Sequence, residues 1–329
     1  MNVNQLKAYR SMMSDPVRMS AYRHAIALRC PDKVVCEIGV GLGPLSLMAL
    51  KAGAKRVYGV EVDPEALEMA VRIMAANGFG PDRFIPVCGL STHVFLREKV
   101  DVILSETLDS AGIGENTVHF MADARQRLLK PDGCFIPEGL DCYLALASPK
   151  LYADKLAYWI DELKRQDMDY SPIEEELRQV QHAFEVKPGE LLSPWIRWQH
   201  IDFNDPDSFE QRTSVAAQAT SAGTVTGFAT AFDARLAPGV NIRTFPKDPV
   251  THWAQGFCAF PESPVTCAVG DLVFMELRVV PHGTRWAALK KNVVSGEADE
   301  VLRYIAHRVA AVDAEDEGMY DQDESIQVA

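Results

Sequence analysis

Residues 100–137 decide the fold, and they read VDVILSETLDSAGIGENTVHFMADARQRLLKPDGCFIP. Val100–Ser105 is a short apolar run with alternation, which predicts a buried strand, and Glu106 follows it directly. A loop with two glycines leads to Glu115. Apolar residues at helical spacing then predict a helix that ends at Pro131-Asp132-Gly133. Two carboxylates thus flank one loop at the carboxyl end of a strand, the edge where open α/β sheets bind ligands.

Two carboxylates that face one crevice suit a planar cation with a fork of N–H donors, and a guanidinium has that form. On this loop alone, however, two solvated glutamates on the protein surface are the simpler interpretation. The rest of the chain has to decide between the two.

A βαβ unit precedes this stretch. Residues 34–38 (VVCEI) predict a strand, residues 39–43 (GVGLG) a glycine turn, residues 44–52 a helix, and residues 56–60 a second strand that closes on Glu61. Glycines let a ligand approach the backbone closely. An acidic residue at the end of the second strand can accept hydrogen bonds from both hydroxyls of a ribose. The candidate ligand-binding residues of this unit are Glu37, Gly39, Gly41, Gly43 and Glu61.

The spacing of these glycines favours one class of nucleotide-like ligand. Pro44 stands where the dinucleotide fingerprint GxGxxG needs glycine or alanine, and Glu37 lies two residues before the first glycine. This GxGxG pattern resembles the class I methyltransferases that bind S-adenosylmethionine, with the acid able to meet the cationic end of that ligand. A nicotinamide-dependent dehydrogenase remains an alternative. After a further predicted strand, Ser91 and Thr92 could face the adenine or form an ordinary hydroxyl-rich turn.

Composition excludes several classes of protein. The 329-residue chain has a formal net charge of −13, which argues against a nucleic-acid-binding surface. Its seven cysteines form no CxxC pair, so they point to a reducing compartment and provide no zinc-ligand spacing; we expect no metal site and a cytoplasmic location. The N-terminus has no apolar signal-peptide core, and no stretch is apolar enough to span a bilayer.

The pattern of the chain predicts an α/β, doubly wound Rossmann-like sheet followed by a β-barrel domain with a helical arm between them. Alternating short runs and turns from residue 191 to 280 suggest the barrel. The predicted segments are an N-terminal helical flap (1–29), the Rossmann-like cofactor domain (30–147), the arm (148–185), the barrel (186–295), a C-terminal helix (296–312) and an acidic disordered tail (313–329).

Four motifs in order resemble those of the protein arginine methyltransferases, from about residue 9 to residue 280. They are the glycine loop with Glu61, the Glu106–Glu115 pair, the loop Thr251-His252-Trp253 after Pro249, and the segment 12–18 (MMSDPVR) followed by Tyr22-Arg23. The resemblance implies transfer of a methyl group from S-adenosylmethionine to an arginine guanidino nitrogen.

The same resemblance assigns roles to residues of this chain. Glu106 and Glu115 would grip the guanidinium, and Asp15 would lie near His252, which could take a proton. Arg18 would pair with the cofactor's carboxylate. Met12 and Trp253 would contact the substrate, and Glu106 would also border the cofactor. Because members of the family commonly pair through a helical arm, we expect a homodimer.

The chain also departs from the family. Residues 1–8 contain no tyrosine, although the family usually carries a tyrosine pair on an N-terminal helix, and Tyr9 stands where a histidine is common. The helix after residue 296 and the acidic tail are not in the family pattern. Free L-arginine is therefore a rival to protein arginine as substrate, and Leu108-Asp109 with Ser91-Thr92 looks most like the branch that stops at monomethylarginine. Two broader alternatives are a methyltransferase for another small nucleophile and a non-catalytic binding protein.

Overall fold

The computed structural model describes residues 2–205, 212–260, 264–278 and 293–294. The helices are α1 (Val3–Ser14), α2 (Pro16–Arg29), α3 (Pro44–Lys51), α4 (Pro64–Ala76), α5 (Thr117–Arg127), α6 (Lys150–Ala157) and α7 (Pro172–Gln179). A π-helical segment, Tyr158–Glu162, continues α6, and Pro188–Glu190 forms a 3₁₀ turn. None of the helices in these ranges is long and apolar enough to cross a membrane.

The strands divide between a parallel sheet and an antiparallel region. The parallel strands are β1 (Val34–Ile38), β2 (Arg56–Glu61), β3 (Phe84–Cys88), β4 (Val100–Ser105) and β5 (Leu129–Ile136). The antiparallel strands are β6 (Gly139–Ala147), β7 (Gln181–Phe184), β8 (Ile196–Asp202), β9 (Arg212–Gln218), β10 (Gly223–Val225), β11 (Gly227–Ala237), β12 (Val240–Arg243), β13 (Gln255–Ala259), β14 (Val265–Cys267), β15 (Leu272–Arg278) and β16 (Val293–Val294).

The five parallel strands form one sheet in the order β3-β2-β1-β4-β5. β1 is buried along its whole length, and all but one residue of β4 is buried, because helices cover both faces of the sheet. The strand order reverses between β1 and β4, and this reversal creates the crevice in which open α/β sheets bind ligands. The predicted Rossmann-like sheet is confirmed.

The N-terminal flap is two helices with a break at Asp15-Pro16, as the sequence predicts. Asp15 caps α2, since its Oδ1 accepts a hydrogen bond from the backbone N–H of Arg18 at 3.0 Å. Pro16 occupies the first helical position, where its fixed φ and missing N–H cost nothing. The break lets α1 turn away from α2, so that the two helices approach different parts of the sheet edge.

The second half of the described chain is antiparallel. Its largest sheet has the order β7-β13-β11-β6-β8 with β12 paired to β11, and β9, β15 and β16 form a three-stranded sheet. β10 pairs with β14. The antiparallel domain is therefore confirmed, while closure of a barrel stays a prediction. The expected helix 296–312 and tail 313–329 lie outside the described residues.

Three predicted boundaries differ from the structure. Helix α5 ends at Arg127, and Pro131-Asp132-Gly133 lies inside β5. The apolar run after residue 138 is β6, which pairs with β11 and β8, so it belongs to the antiparallel domain rather than to the cofactor domain ending at residue 147. Within the alternating runs predicted for residues 191–280, the apolar stretch 224–236, which the sequence pattern reads as one run, is divided between two strands, β10 and β11. In each case hydrophobicity gives the burial of a segment but not its hydrogen-bonding partner.

The predicted arm is helical in two pieces, α6 with its π-helical continuation and α7, and it ends at β7 rather than continuing as helix to Phe184. Some apolar side chains of this arm are exposed in the single chain. Leu151 is 48% exposed and Tyr158 is 53% exposed, whereas Leu163 is buried. The arm thus presents apolar surface that the rest of the described chain leaves uncovered.

We expect the parallel sheet to set the stability of the cofactor domain. Ile103 lies on β4, which is paired on both sides, and is fully buried, so Ile103→Ala should lower the free energy of unfolding by about 2–5 kcal/mol through lost burial and a cavity. Urea denaturation followed by circular dichroism measures this change. Val71→Ala is the control, because Val71 is 37% exposed on α4, and it should change the same quantity by no more than about 0.5 kcal/mol. Equal losses would show that burial on β4 does not set the stability of this domain.

Candidate active site

The register of the parallel sheet brings the candidate residues to one edge. Ile38 at the end of β1 pairs with Val60 on one side and with Ser105 on the other. The next residue of each strand is Gly39, Glu61 and Glu106 respectively. These three residues therefore leave the sheet side by side, at the point where the strand order reverses.

The turn after β1 needs glycine at its three predicted positions. Gly39, Gly41 and Gly43 have φ of 74°, 51° and 78°, a left-handed region that side chains disfavour. Helix α1 also approaches closely, since a Cβ atom on Gly41 would lie 2.7 Å from the ring of Tyr9. Burial, reinforced by the charges of Glu61 and Asp63, raises the pKa of Tyr9 above its ordinary value. Tyr9 thus covers the glycine turn, a role that its sequence position alone does not reveal.

Glu61 and Glu37, the two acids expected beside the glycine turn, lie in different environments. The carboxylate of Glu61 accepts hydrogen bonds from the backbone N–H groups of Gly41, Val62 and Asp63 at 2.8, 2.9 and 3.0 Å. Glu37 is 2% exposed and accepts a hydrogen bond from the hydroxyl of Ser46. Burial raises the pKa of Glu37 to about 8, although the hydrogen bond from Ser46 opposes the shift.

The loop after β3 carries Ser91 and Thr92. The guanidinium of Arg127 fixes this loop, because it donates to the carbonyl oxygens of Ser91 at 2.6 Å and Val94 at 2.8 Å. Ser91 is 3% exposed, and its hydroxyl has no hydrogen-bond partner among the described residues. Thr92 is half-buried. A buried hydroxyl without a partner is an available site for a polar group of a ligand.

Glu106 forms an ion pair with Arg18. The Nε of Arg18 donates to Oε2 of Glu106 at 2.8 Å, and a terminal nitrogen of the guanidinium contacts the same oxygen. The two side chains are only 5% and 6% exposed. Burial raises the pKa of Glu106 above its ordinary value, although the charge and hydrogen bonds of Arg18 oppose the shift. Arg18 therefore occupies one oxygen of Glu106.

Glu115 lies at the other end of the loop and is accessible to solvent. Protein atoms around its carboxylate still desolvate it, and this desolvation, with the charges of Glu106 and Asp109, raises the pKa of Glu115 to about 7. The three acids line one cavity, so their charges repel one another. A cation placed between Glu106 and Glu115 would reverse the shift.

One cavity of about 450 Å³ contains both glutamates. It lies beneath α1 and between the 106–115 loop and the loop that precedes β13. Its lining comprises Ala8, Ser11, Met12, Glu106, Leu108, Asp109, Ser110, Glu115, Gln181, His252 and Trp253. All five residues that we predicted to contact the substrate, which are Met12, Glu106, Glu115, His252 and Trp253, are among them.

Asp15 and His252 form a hydrogen-bonded pair beside this cavity. Oδ2 of Asp15 lies 3.0 Å from Nδ1 of His252 and also accepts the backbone N–H of His252 at 2.8 Å. Burial lowers the pKa of His252, although Asp15 opposes the shift, so the imidazole is neutral at pH 7. Burial would raise the pKa of Asp15, but its hydrogen bonds from Arg18 and His252 keep it below the ordinary value.

Four polar residues of the cavity were not predicted as site residues, namely Ser11, Asp109, Ser110 and Gln181. Asp109 accepts the backbone N–H groups of Gly114 at 2.9 Å and Ala111 at 3.0 Å, and burial raises its pKa. The quoted loop contains Asp109, but its sequence does not show that the side chain turns inward. Gln181 begins β7, far along the chain, and only pairing of β7 with β13 brings it to the cavity.

The crevice fits a cofactor built from a ribose, a base and an amino acid. The open backbone at the glycine turn, the acid at the end of β2 and the buried hydroxyl of Ser91 are the groups that such a ligand needs. In the described ranges, no group of three or more histidine, cysteine, aspartate and glutamate residues could hold a metal ion.

Two family models match the chain. Residues 25–141 match the model described as ribosomal protein L11 methyltransferase (PrmA), and residues 141–290 match the model described as the arginine methyltransferase oligomerization subdomain. The two matches meet at residue 141, within β6. This is close to the boundary between the parallel and antiparallel sheets.

Two curated relatives and one solved structure are similar to the chain. Protein arginine N-methyltransferase 1 of Saccharomyces cerevisiae is 30% identical over 286 residues, which cover 83% of this chain and 80% of the yeast protein. Probable histone-arginine methyltransferase 1.3 of Arabidopsis thaliana is 28% identical over 301 residues; the match covers 85% of this chain but spans only 55% of the plant protein. The structure titled Trypanosoma brucei PRMT1 enzyme-prozyme heterotetrameric complex with AdoHcy shares the fold, with a TM-score of 0.71 at 23% identity over 87% of this chain and 96% of that one.

The raised pKa of Glu115 predicts how pH affects binding of a guanidinium ligand. Glu115 binds a cation only when ionised, so affinity should fall as pH decreases through about 7. A carboxyl with that pKa is about ten times less ionised at pH 6 than at pH 8, so the dissociation constant should rise by about tenfold. Isothermal titration of arginine at both pH values measures the change.

Glu115→Gln is the control for this titration. It should bind arginine weakly at both pH values and lack most of the pH dependence. An equal pH dependence in the variant would assign the titration to another group, such as His252.

Proposed function

The chain belongs to the protein arginine methyltransferase family of S-adenosylmethionine-dependent enzymes, and from that premise we propose that it transfers a methyl group to a guanidino nitrogen of arginine. The observation that carries this proposal is the cavity in which Glu106, Glu115 and His252 meet. Glu106 also follows a strand end that is paired with the strand carrying the glycine turn. An acceptor held by the glutamates would therefore lie next to the cofactor crevice.

The residues that would hold S-adenosylmethionine come from four segments. The glycine turn (Gly39, Gly41 and Gly43) would let the ligand approach the backbone, and Glu61 would accept the ribose hydroxyls. Ser91 and Thr92 would face the adenine, while Glu37 and Arg18 would meet the amino-acid end. When bound, this cofactor supplies a methyl group that its sulfonium has already activated.

Glu106 and Glu115 perform the main task, which is to hold and polarise the acceptor. A guanidinium is a poor nucleophile because its electrons are delocalised and it stays protonated at pH 7. Two carboxylates would draw positive charge toward the nitrogens that they contact and leave lone-pair density on the remaining one. Arg18 blocks one oxygen of Glu106, so the guanidinium is offered a restricted set of acceptor positions.

His252 is suited to take the proton that the methylated nitrogen must lose. Its imidazole is neutral at pH 7 and lines the cavity, and Asp15 at 3.0 Å orients it and stabilises the charge that it would gain. Because Asp15 contacts Nδ1, the other ring nitrogen, Nε2, is left to accept the proton. Asp15 precedes α2 and His252 precedes β13, so the pair joins the N-terminal helices to the antiparallel domain.

The acceptor is free L-arginine or a protein-bound arginine, and the product is monomethylarginine. The resemblance of Leu108-Asp109 to the monomethylating branch supports a single transfer. A cavity of about 450 Å³ has room for one amino acid beneath α1.

The assembly we propose is a homodimer. The segment that matches an oligomerization subdomain begins at residue 141, and the arm that follows leaves Leu151 and Tyr158 about half exposed. Apolar residues at such exposure on one helical segment suit contact with a second copy of the chain.

Glu61→Ala tests the cofactor site. Loss of hydrogen bonds from the ribose to a carboxylate should weaken binding of S-adenosylmethionine by roughly ten- to a hundredfold, as measured by isothermal titration calorimetry. Glu68→Ala removes the same charge from an exposed position on α4 and should leave the dissociation constant unchanged. An unaffected constant in Glu61→Ala would mean that another residue binds the ribose.

Mass spectrometry of the products tests the function itself. Purified protein with S-adenosylmethionine should produce monomethylarginine from free L-arginine or from an arginine-rich peptide, run in parallel. Glu115→Gln should lower the turnover number by roughly a hundredfold or more while binding of the cofactor persists, because half of the guanidinium clamp is lost. Glu68→Gln, a matched change at an exposed site, should have no effect. If no guanidine is methylated under any of these conditions, the proposed function is wrong.

A further inference from the structure

Three buried hydroxyl groups form a chain at the base of the 106–115 loop. The hydroxyl of Thr117 donates to the carbonyl oxygen of Thr107, and Oγ1 of Thr107 lies 3.0 Å from Oγ1 of Thr117. Oγ1 of Thr107 is also 3.2 Å from Oγ of Ser105, which donates to the carbonyl oxygen of Ile38 at 3.1 Å. Thr117 is fully buried and Ser105 is 1% exposed.

Two of the three hydroxyl protons have a carbonyl oxygen as their acceptor. Thr117 gives its single proton to the carbonyl oxygen of Thr107, and Ser105 gives its own to the carbonyl oxygen of Ile38. The proton of Thr107 can serve either Oγ1 of Thr117 or Oγ of Ser105. The bond from Thr117 to the carbonyl oxygen of Thr107 joins the two ends of the loop. A valine of the same shape at position 117 would remove it and leave a buried carbonyl oxygen without this donor.

These hydrogen bonds are made by residues that lie next to the two glutamates in the sequence. Glu106 immediately precedes Thr107, and Glu115 lies two residues before Thr117. Between Glu115 and the helix stands Asn116, which has a left-handed φ of 59° and makes no side-chain cap. The first turn of α5 thus lacks the usual restraint at its N-cap, and the hydroxyl of Thr117 provides one instead.

The middle of the loop is held by different contacts. The indole N–H of Trp253 donates to the carbonyl oxygen of Leu108 at 2.7 Å, and the hydroxyl of Ser110 donates to the carbonyl oxygen of Trp253 at 2.7 Å. These bonds fix the loop to the antiparallel domain. Within the loop, Oδ1 of Asp109 accepts the backbone N–H of Gly114 at 2.9 Å, and the hydroxyl of Thr117 joins the two ends through the carbonyl oxygen of Thr107.

The same network contacts the cofactor turn. A Cβ atom on Gly39 would lie 3.2 Å from the methyl group of Thr107, so Thr107 packs closely against the first glycine. The hydroxyl chain also reaches the end of β1 through Ile38. The spacing between the two glutamates and their distance from the glycine turn therefore depend on one set of bonds.

We propose that Thr117 is a positioning residue of the methyl transfer, whose hydroxyl closes the loop that carries Glu106 and Glu115 and so holds both carboxylates at the spacing that a guanidinium requires. The inference rests on the proposed function. Thr117 does not line the cavity and acts through the glutamates. The acceptor nitrogen must approach the methyl group in line, so a displacement of that nitrogen by a fraction of a bond length lowers the rate of transfer.

The test compares Thr117→Val with Thr117→Ser. The valine variant should lower kcat for methylation of the guanidine by roughly ten- to a hundredfold, while the dissociation constant of S-adenosylmethionine stays near that of the wild type. The serine variant keeps the hydroxyl and should restore most of kcat. Ser193→Ala is the matched control, because it removes a buried hydroxyl that binds the backbone of Leu146 away from the cavity, and it should not change kcat.

The pH profile separates positioning from a general loss of stability. Glu115 is influenced by burial and by the charges of Glu106 and Asp109. A loosened loop would move Glu115 away from both acids and into solvent, and each change lowers its pKa. The acid limb of the kcat/KM profile should therefore shift to lower pH in Thr117→Val and remain in place in Thr117→Ser.

The outcomes are distinguishable. A folded Thr117→Val variant with the wild-type kcat and pH profile would overturn the inference but leave the proposed function intact. A wild-type protein that methylates no guanidine would overturn both. If circular dichroism shows that Thr117→Val does not fold, Thr117→Ala provides the test, because it removes the same hydroxyl: a fall in kcat that Thr117→Ser does not show supports the inference, and an unchanged kcat overturns it.

Discussion

The buried pairing of Arg18 with Glu106 is the interaction on which the site depends. Glu106 cannot remain charged in a buried position without a partner, and Arg18 is that partner. The same turn of α2 begins at Asp15, which binds both the backbone and the ring of His252. One helical turn therefore contacts the strand end of the parallel sheet and a loop of the antiparallel domain. If it moved away, Glu106 and His252 would lose their restraint together.

The antiparallel domain completes the cavity by holding the loop rather than by adding a separate pocket. Leu108 and Ser110 exchange hydrogen bonds with Trp253, and the hydroxyl of Thr230 on β11 donates to the carbonyl oxygen of Ser110 at 3.3 Å. Phe232, also on β11, packs edge to face against the indole of Trp253 with 5.4 Å between the ring centroids. The loop thus has one set of restraints from the parallel sheet at its ends and another from the antiparallel domain at its middle.

Much of the parallel sheet could be predicted from sequence because its signals are local. The strands β1, β2 and β4 are short apolar runs that end in glycine or glutamate, and the structure places them as expected. The predicted end of α5 was wrong because proline and glycine interrupt strands as well as helices. In β5 they lie beside a register shift in its pairing with β4. The sequence could not show which sheet β6 belongs to, because an apolar strand has the same pattern in either sheet.

The site required information that no local signal contains. Trp253 binds Leu108 across 145 residues of sequence, and His252 binds Asp15 across 237. From the sequence, only the resemblance of four motifs, in their order, to one family indicated that these distant segments belong to one site. Gln181 and Thr117 belong to no such motif. Gln181 is placed by the pairing of β7 with β13, and Thr117 follows a residue of left-handed conformation at the start of a helix. Residue type alone shows neither feature.

The electrostatics of the two glutamates bear on the ligand that we propose for them. Desolvation, together with repulsion from Glu106 and Asp109, raises the pKa of Glu115 to about 7, so its carboxyl is present in both protonated and ionised forms at neutral pH. A cation between the acids removes that repulsion, so binding and ionisation of Glu115 favour each other. A neutral ligand gains nothing from this coupling. An ammonium, as a point charge, gains only part of this coupling energy, whereas a planar guanidinium can contact both carboxylates at once. Under the proposed function, binding of the guanidinium therefore completes the ionisation of the site.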